Sequence, residues 1–250
     1  MMPLLAHPAA PAVLSWSGGK DSALALYHAQ RDPRYQMTHL LTNVSTPHGR
    51  VAMHGVRPEL LAAQAERLGL PLRQLRLPDM PAPALYDQAQ QAMLASLRTD
   101  GVRTAIYGDI FLEDLRAYRE QQLARAGLRG AFPLWQRASA DVVREVLDLG
   151  FQAIIVCVNE RYLDASFCGR LLSRDLLRDL PPGVDPCGEN GEYHSFVVDA
   201  PNFSRPIALA VGELTRRTYA PPTARPAGTS ADPFAAGFWY CDAQLIAEAG

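Results

Sequence analysis

The chain alternates short apolar segments with longer amphipathic ones as far as residue 158. Apolar runs typical of strands cover 12–16, 37–44, 72–77, 103–107 and 152–158. The apolar spacing of helices follows or separates these runs at 23–29, 58–68, 84–97, 112–126 and 140–149, with Ser139 predicted to cap the last of them. Strands that alternate with helices imply right-handed crossovers, so the pattern predicts an α/β fold with a doubly wound parallel sheet.

After residue 135 the predicted elements become shorter and more varied. A helix is predicted over 169–178 and a strand over 195–198, with 207–211 as its hairpin partner. Proline, glycine, alanine and small polar residues dominate 219–237, which favours an extended or mobile tail. We therefore expect a larger domain over 10–135, a smaller C-terminal α+β subdomain over 136–212, and a tail over 213–250.

The composition is that of a globular protein with an ordinary core. Of 250 residues, 48% are hydrophobic and 20% are charged, which excludes disorder and small disulfide scaffolds. The longest purely apolar run, 153–158, is far too short to span a membrane, and the first residues lack the basic segment of a signal peptide. We therefore expect a cytoplasmic protein with no membrane partner. A formal net charge of −2 disfavours nucleic acid as a partner bound through a basic surface.

Cysteine spacing also excludes two kinds of structure. The four cysteines show no C-x-x-C spacing, which disfavours a disulfide framework and a structural zinc site. Cys157 lies in a predicted buried strand and is expected to be inert, whereas Cys187 is expected to be more exposed. The other two are Cys168 and Cys241.

The single lysine lies in a distinctive loop. Of 24 basic residues only Lys20 is lysine, and it belongs to Ser17-Gly18-Gly19-Lys20-Asp21-Ser22, between the first predicted strand and helix. The two glycines let backbone amides approach a ligand, the hydroxyls can donate to phosphate oxygens, and a helix start favours an anion. A carboxylate such as Asp21 tolerates nearby phosphates mainly when a metal or an amide separates them. The alternative interpretation is a capped helix start whose glycines serve only the turn.

This loop resembles the PP-loop of N-type ATP pyrophosphatases, which cleave ATP to AMP and pyrophosphate. Within that superfamily the chain resembles the diphthine–ammonia ligase (diphthamide synthase, ATP-binding-domain-4) family. Three further segments carry the resemblance: His54-Gly55, Pro133-Leu134-Trp135 and Cys187-Gly188-Glu189-Asn190-Gly191-Glu192-Tyr193. It covers about residues 13–211 and departs from the family signature at Asn190, where the signature has glycine, and at His194-Ser195, where it has Glu-Thr.

Five other candidates are ambiguous from the residues alone. Asp109 ends the fourth predicted strand, where it could hold magnesium, orient an amine or cap the next helix. Glu189 and Glu192 lie three residues apart in a loop with glycines, which suits an ammonium or cationic acceptor but also a solvated turn. Without the resemblance, His54 is a capping or surface histidine. Trp135 is expected to pack against a cleft between the domains.

The resemblance implies an AMP-forming amide ligase. Such an enzyme activates a carboxylate on ATP as an acyl-adenylate, which ammonia or another amine then converts to an amide. The implied cofactors are ATP and Mg²⁺, and the implied partners are a carboxylate-bearing acceptor (a small molecule or a modified protein side chain) and ammonia. A homo-oligomer is compatible with the sequence. The alternatives are a PP-loop RNA-modifying enzyme of the sulfur-transfer type and a nucleotide-binding sensor without catalysis.

The resemblance also assigns roles to individual residues, in four groups. The catalytic residues are Lys20, Asp21, Asp109, Glu189 and Glu192. The ATP-binding residues are Ser17, Gly18, Gly19, Lys20, Asp21, Ser22 and His54. The acceptor-binding residues are Gly188, Glu189, Gly191, Glu192 and Tyr193. The metal ligands are Asp21 and Asp109.

Overall fold

A parallel sheet forms the N-terminal part of the computed structural model, which describes residues 8–46, 49–51, 54–78, 81–218 and 237–246. Its strands in chain order are β1 (Ala10–Ser15), β2 (Tyr35–Ser45), β3 (Arg50–Val51), β4 (Leu72–Leu77), β5 (Thr104–Ile106) and β6 (Arg129–Ala131). The parallel strands lie in the spatial order β4-β2-β1-β5-β6, and β3 pairs antiparallel with the end of β2. The direction of winding reverses between β1 and β5, which is where sheets of this kind bind ligands.

Helices cover both faces of this sheet. They are α1 (Lys20–Arg31), α2 (Pro58–Leu68), α3 (Pro83–Thr99) and α4 (Glu113–Arg125). Leu24 of α1 packs with Leu14 in one apolar cluster that also includes α2, whereas Leu94 of α3 packs with Val13 in another that includes α4. Because successive residues of a strand face opposite sides, the two clusters lie on opposite faces of β1. The predicted doubly wound α/β fold is therefore confirmed.

The remaining described chain forms an antiparallel sheet with short helices beside it. The helices are α5 (Ser139–Asp148), a 3₁₀ turn (Ala165–Phe167) and α6 (Arg174–Asp179); the strands are β7 (Gln152–Asn159), β8 (Tyr193–Asp199), β9 (Leu209–Thr218) and β10 (Gly237–Leu245). The strands lie in the order β8-β7-β10-β9. This sheet contacts the loop Ser17–Ser22, called the first loop below, because the Val197 amide of β8 donates to the Gly18 carbonyl at 2.9 Å. No helix in the described ranges is long and apolar enough to cross a membrane.

The prediction of an extended or mobile tail from residue 213 is wrong where the structure describes it. β9 continues to Thr218, and β10 pairs with both β9 and β7. Phe238 and Cys241 are buried because β10 is a central strand of its sheet. The predicted hairpin of 207–211 with the preceding strand is also wrong, since β9 pairs with β10 and β8 pairs with β7. Residues 219–236 and 247–250 of the predicted tail lie outside the described residues.

Two local predictions also differ from the structure. The helix expected over 169–178 is confined to α6, because the backbone of Gly169 and Leu172 donates to β7 instead of forming helical hydrogen bonds. The hydroxyl of Ser173 then accepts from the Leu176 amide and starts the helix. Ser139 is the first residue of α5, and no side chain caps that helix.

Candidate functional site

The loop after β1 meets the end of β5 at the carboxyl edge of the parallel sheet. β1 and β5 are paired neighbours, and Gly108-Asp109 follows β5. A Cβ atom on Gly108 would lie 2.8 Å from the backbone carbonyl of Asp21. Only glycine allows this approach, so the start of α1 and the end of β5 form a single edge.

The loop Ser17–Ser22 holds its own shape through its hydroxyls. The Gly19 amide donates to Ser17 Oγ at 3.2 Å, Ser22 Oγ donates to the Gly19 carbonyl at 2.9 Å, and the two hydroxyls lie 3.1 Å apart. Gly18 has a φ of +79°, a left-handed conformation that favours glycine. Gly19 has no side chain that could cap α1; the Lys20 amide donates instead to Ser195 Oγ at 3.2 Å, and residues 19–22 border a cavity.

Gln64, which the sequence did not predict as a site residue, holds this loop through a hydrogen bond to the Gly18 carbonyl. Its buried side chain donates to the carbonyls of Gly18 (3.0 Å) and Val197 (2.7 Å) and accepts from Trp16 Nε1 at 2.9 Å. One amide group therefore joins the loop after β1, helix α2 and strand β8. The signal in the sequence was a polar residue on the apolar face of the 58–68 helix.

Lys20 connects the first loop to the loop that precedes β8. Its side chain is 2% exposed; Nζ donates to Asp21 Oδ2 at 2.8 Å and to the Cys187 carbonyl, and lies 5.3 Å from the centre of the Tyr193 ring. Burial alone would lower the pKa of Lys20, but Asp21, Tyr193 and Cys187 together raise it above the usual lysine value. The lysine is therefore a buried ammonium that binds both loops.

Glu192 organises the second loop from within. It is 1% exposed, and its carboxylate accepts from the amides of Asp185 (3.0 Å) and Asn190 (2.9 Å) and from the Asn190 side chain (3.1 Å). Unlike Gly188, Glu189, Gly191 and Tyr193, it does not border the cavity. The structure thus separates Glu192 from the other predicted acceptor-binding residues.

Among the described residues, three carboxylates border the cavity: Asp21, Asp109 and Glu189. Glu189 Oε1 accepts from the Ile110 amide at 3.2 Å, and burial together with Asp21 raises the pKa of Glu189 to about 7. Burial also raises the pKa of Asp109, while Arg119, 3.1 Å away, opposes that shift. The loops thus bring together acids that lie far apart in the sequence.

His54 and His194 form a pair of rings, tilted by 36° to each other, beside the loop Ser17–Ser22. Their ring centres lie 4.6 Å apart, and His54 Cε1 is close enough that a Cβ on Gly19 would lie 3.2 Å from it. Burial, reinforced by Lys20, lowers the pKa of His54 to about 4, and burial lowers that of His194 as well. Both rings are therefore neutral at physiological pH. The resemblance predicted His54 but not His194, whose only signal was its departure from the signature.

A cavity of about 480 Å³ unites these groups. It is bordered by Ser17, Gly19, Lys20, Asp21, Ser22, His54, Asp109, Gly188, Glu189, Gly191 and Tyr193 among the predicted residues, and by Phe238 of β10. Trp135 does not border it; its ring packs with Phe132 and faces the Arg116 guanidinium at 4.5 Å.

The cysteines do not provide an activated thiol. All four are buried and free. Cys187, predicted to be more exposed, is 2% exposed because its thiol turns inward to the Ser139 carbonyl at 3.1 Å. Burial raises the pKa of Cys187 to about 12 and that of Cys168 to about 12. This environment disfavours thiolate chemistry of the sulfur-transfer kind.

Two family models match the chain. The diphthamide synthase N-terminal domain matches residues 10–130, and the diphthamide synthase C-terminal domain matches residues 138–219. A Danio rerio protein named diphthine–ammonia ligase is 26% identical over 235 residues, which are 79% of this chain and 85% of that protein. Proteins of the same name from Rattus norvegicus and Homo sapiens are 33% identical over 111 and 112 residues. These two matches span 42% of the length of each relative.

Proposed function

Since the chain belongs to the diphthamide synthase family, we propose that it is an ATP-dependent amide ligase that releases AMP and pyrophosphate. The observation that carries this proposal is the single cavity between the loop Ser17–Ser22 and the loop ending at Tyr193, joined by Lys20. The first loop suits phosphates, since it combines glycine amides, two hydroxyls and a helix start. The second loop is then positioned to hold the acceptor. The division into a nucleotide domain over 10–135 and an acceptor subdomain that begins at 136 and includes β9 and β10 is part of this proposal.

The reaction has two steps. An oxygen of the acceptor carboxylate attacks the α-phosphorus of ATP, the bond to the β-phosphate oxygen breaks, and pyrophosphate leaves. The nitrogen of ammonia then attacks the acyl carbon. The bond between this carbon and the oxygen that bridges it to phosphorus breaks, AMP leaves with that oxygen, and the nitrogen loses a proton as the amide forms. The protein stabilises charge that develops on the phosphates through backbone amides and the Lys20 ammonium. Glu189, with a pKa of about 7, is suited to accept the proton from the nitrogen.

Mg²⁺ fits the acidic side of the cavity. Asp21 Oδ1 is buried without a hydrogen-bond partner, and carboxylate oxygens are the ligands that Mg²⁺ prefers. Asp109 is the weaker ligand, because Arg119 lies 3.1 Å from its carboxylate. Among the described residues, no three side chains of His, Cys, Asp or Glu could hold a metal by themselves. Phosphate oxygens and water would complete the coordination, and the ion would neutralise phosphate charge.

The acceptor and donor follow from the names of the relatives. These names indicate diphthine and ammonia, so a carboxylate-bearing acceptor and free ammonia are the substrates that we propose, in the cytoplasm where ATP is supplied. His194 borders the cavity at a position where the family signature has a glutamate. A neutral imidazole replaces an anion there, so we expect diphthine to be a poor acceptor for this chain.

Product analysis tests the reaction type. The purified protein is incubated with Mg²⁺ and ATP, with and without candidate acceptors and ammonium, and the nucleotides are separated by chromatography. We expect AMP and pyrophosphate in equal amounts. ADP as the main product would contradict the proposal. Pyrophosphate release that requires RNA would indicate an RNA-modifying enzyme, and binding without turnover under all conditions would indicate a sensor.

Lys20 variants test the site. Lys20→Ala should reduce ATP affinity or turnover well over tenfold, because it removes the buried ammonium from both loops. Lys20→Arg should not restore activity fully, since a planar guanidinium replaces a compact ammonium. Arg178→Ala on exposed α6 removes a cation elsewhere and serves as the control. Unchanged affinity and turnover in both Lys20 variants would exclude this loop as the nucleotide site.

A further inference from the structure

Strand β10 contributes to the cavity although it lies beyond the residues that either family model matches. Those matches end at residue 219, and β10 covers Gly237–Leu245. Phe238 borders the cavity, and β10 pairs with β7 next to Asn159, which also borders it. The C-terminal strand therefore has a place at the site that the family matches do not account for.

Asp242 joins this strand to the segment that carries His54. Its carboxylate accepts from Arg50 Nη1 at 2.8 Å and from Arg57 Nε at 3.1 Å and Nη2 at 2.8 Å. The two arginines stand on either side of His54 in the sequence. The Arg57 and Arg50 hydrogen bonds, opposed by burial, lower the pKa of Asp242, which keeps it charged. One carboxylate thus binds both ends of the segment.

Tyr240 supports the same segment by direct packing. Gly55, with a φ of +68°, lies so close to the Tyr240 ring that a Cβ would be 2.4 Å from its Cδ1 atom. Arg50 Nη1 also donates to the Gly55 carbonyl at 3.3 Å. Residues 240 and 242 therefore contact the backbone next to His54 and the arginines that flank it.

We propose that β10 is a positioning strand for nucleotide binding: Asp242, through Arg50 and Arg57, holds His54 against the loop Ser17–Ser22. His54 in turn lies against Gly19, where its ring limits the position of the loop. Asp242 does not border the cavity, so it acts only through the His54 segment. This inference rests on the proposed function, because it treats the Ser17–Ser22 loop as the ATP site.

A double-mutant cycle tests the proposal on the full chain. The probe is Mg²⁺ with the non-cleavable analogue α,β-methylene-ATP, and its Kd is measured by calorimetry. Asp242→Asn should raise Kd about tenfold, since the neutral side chain loses its charge-assisted bonds to both arginines. His54→Ala should raise Kd as well, and adding Asp242→Asn to it should cause no further rise. The control is Asp100→Asn, which removes a carboxylate bonded to Arg73; neither residue borders the cavity, so Kd should stay unchanged.

The thermal midpoint is measured in parallel to separate positioning from general stability. A merely structural Asp242 would give the same change in Kd with and without His54, and that result would overturn the proposal. So would an unchanged Kd in Asp242→Asn or in His54→Ala. If Asp242→Asn does not fold, Arg57→Lys replaces it, and the same dependence on His54 is required. Should Lys20→Ala bind as tightly as the wild type, the proposed nucleotide site is wrong and the inference falls with it; Lys20→Ala impaired with Asp242→Asn unaffected overturns the inference alone.

Discussion

Replacing Glu189 by glutamine should stabilise the protein at neutral pH and remove a pH dependence of its stability. Burial, with repulsion from Asp21, raises the pKa of Glu189 from 4.5 to about 7 in the folded protein. The Glu189 carboxyl group loses its proton near pH 4.5 in the unfolded chain, whereas in the folded protein it keeps the proton until about pH 7. The favourable contribution of this group to folding is therefore complete below pH 4.5 and is lost as the pH rises through 7.

The size of the effect follows from the two pKa values. At about 1.4 kcal/mol per pKa unit, the gap between the two pKa values corresponds to about 3.5 kcal/mol at most. Because Glu189 borders the cavity and is only half-buried, solvent screening reduces this free energy to about 2 kcal/mol. Glutamine keeps an oxygen that can accept from the Ile110 amide, so the hydrogen bond is retained while the charge is removed.

Urea unfolding at a series of pH values measures this effect. The free energy of unfolding of Glu189→Gln, relative to wild type, should increase by about 2 kcal/mol between pH 5 and pH 8. Glu113→Gln, an exposed glutamate in the first turn of α4, controls for the loss of one surface carboxylate. A difference between Glu189→Gln and wild type that stays constant over this range would show that the Glu189 carboxylate is not held protonated, and the reasoning about its burial would fail.

Three further substitutions probe the framework of the site. Gln64→Leu should lower the free energy of unfolding by about 4 kcal/mol in urea, because three buried partners lose their hydrogen bonds; a loss below about 1 kcal/mol would contradict the role of Gln64. Glu192→Gln should lower the free energy of unfolding by about 2 kcal/mol, because the NH₂ of the new amide would face a backbone donor. It should also abolish acceptor-dependent pyrophosphate release; full release at normal stability would contradict the role of Glu192. Gly108→Ala should weaken binding of α,β-methylene-ATP by tenfold or more, because its Cβ displaces Asp21; calorimetry showing wild-type Kd would refute the close approach.

Local patterns in the sequence predicted the parallel sheet well, since each element depends on its own residues. Helix α2 and strand β4 have the predicted bounds, 58–68 and 72–77, because glycine and proline mark their ends. Strand β10 was missed because its apolar residues 238–241 adjoin a segment rich in proline and glycine. Its pairing with β7 and β9 involves residues at least 19 positions away in the chain, and no local signal encodes that register.

The loop Ser17–Ser22 and its place at the edge of the first strand were determined by the sequence itself, because a glycine turn between a strand and a helix is a local feature. Only the tertiary structure decided what faces that loop. It brought the Cys187 carbonyl to Lys20, Gln64 to Gly18, and β10 to the segment of His54. It also directed the Glu192 carboxylate towards backbone amides of its own loop, whereas Glu189, three residues earlier, borders the cavity. The physical reason is that burial and hydrogen-bond partners, which distinguish a structural carboxylate from one that meets a ligand, arise from contacts between distant parts of the chain.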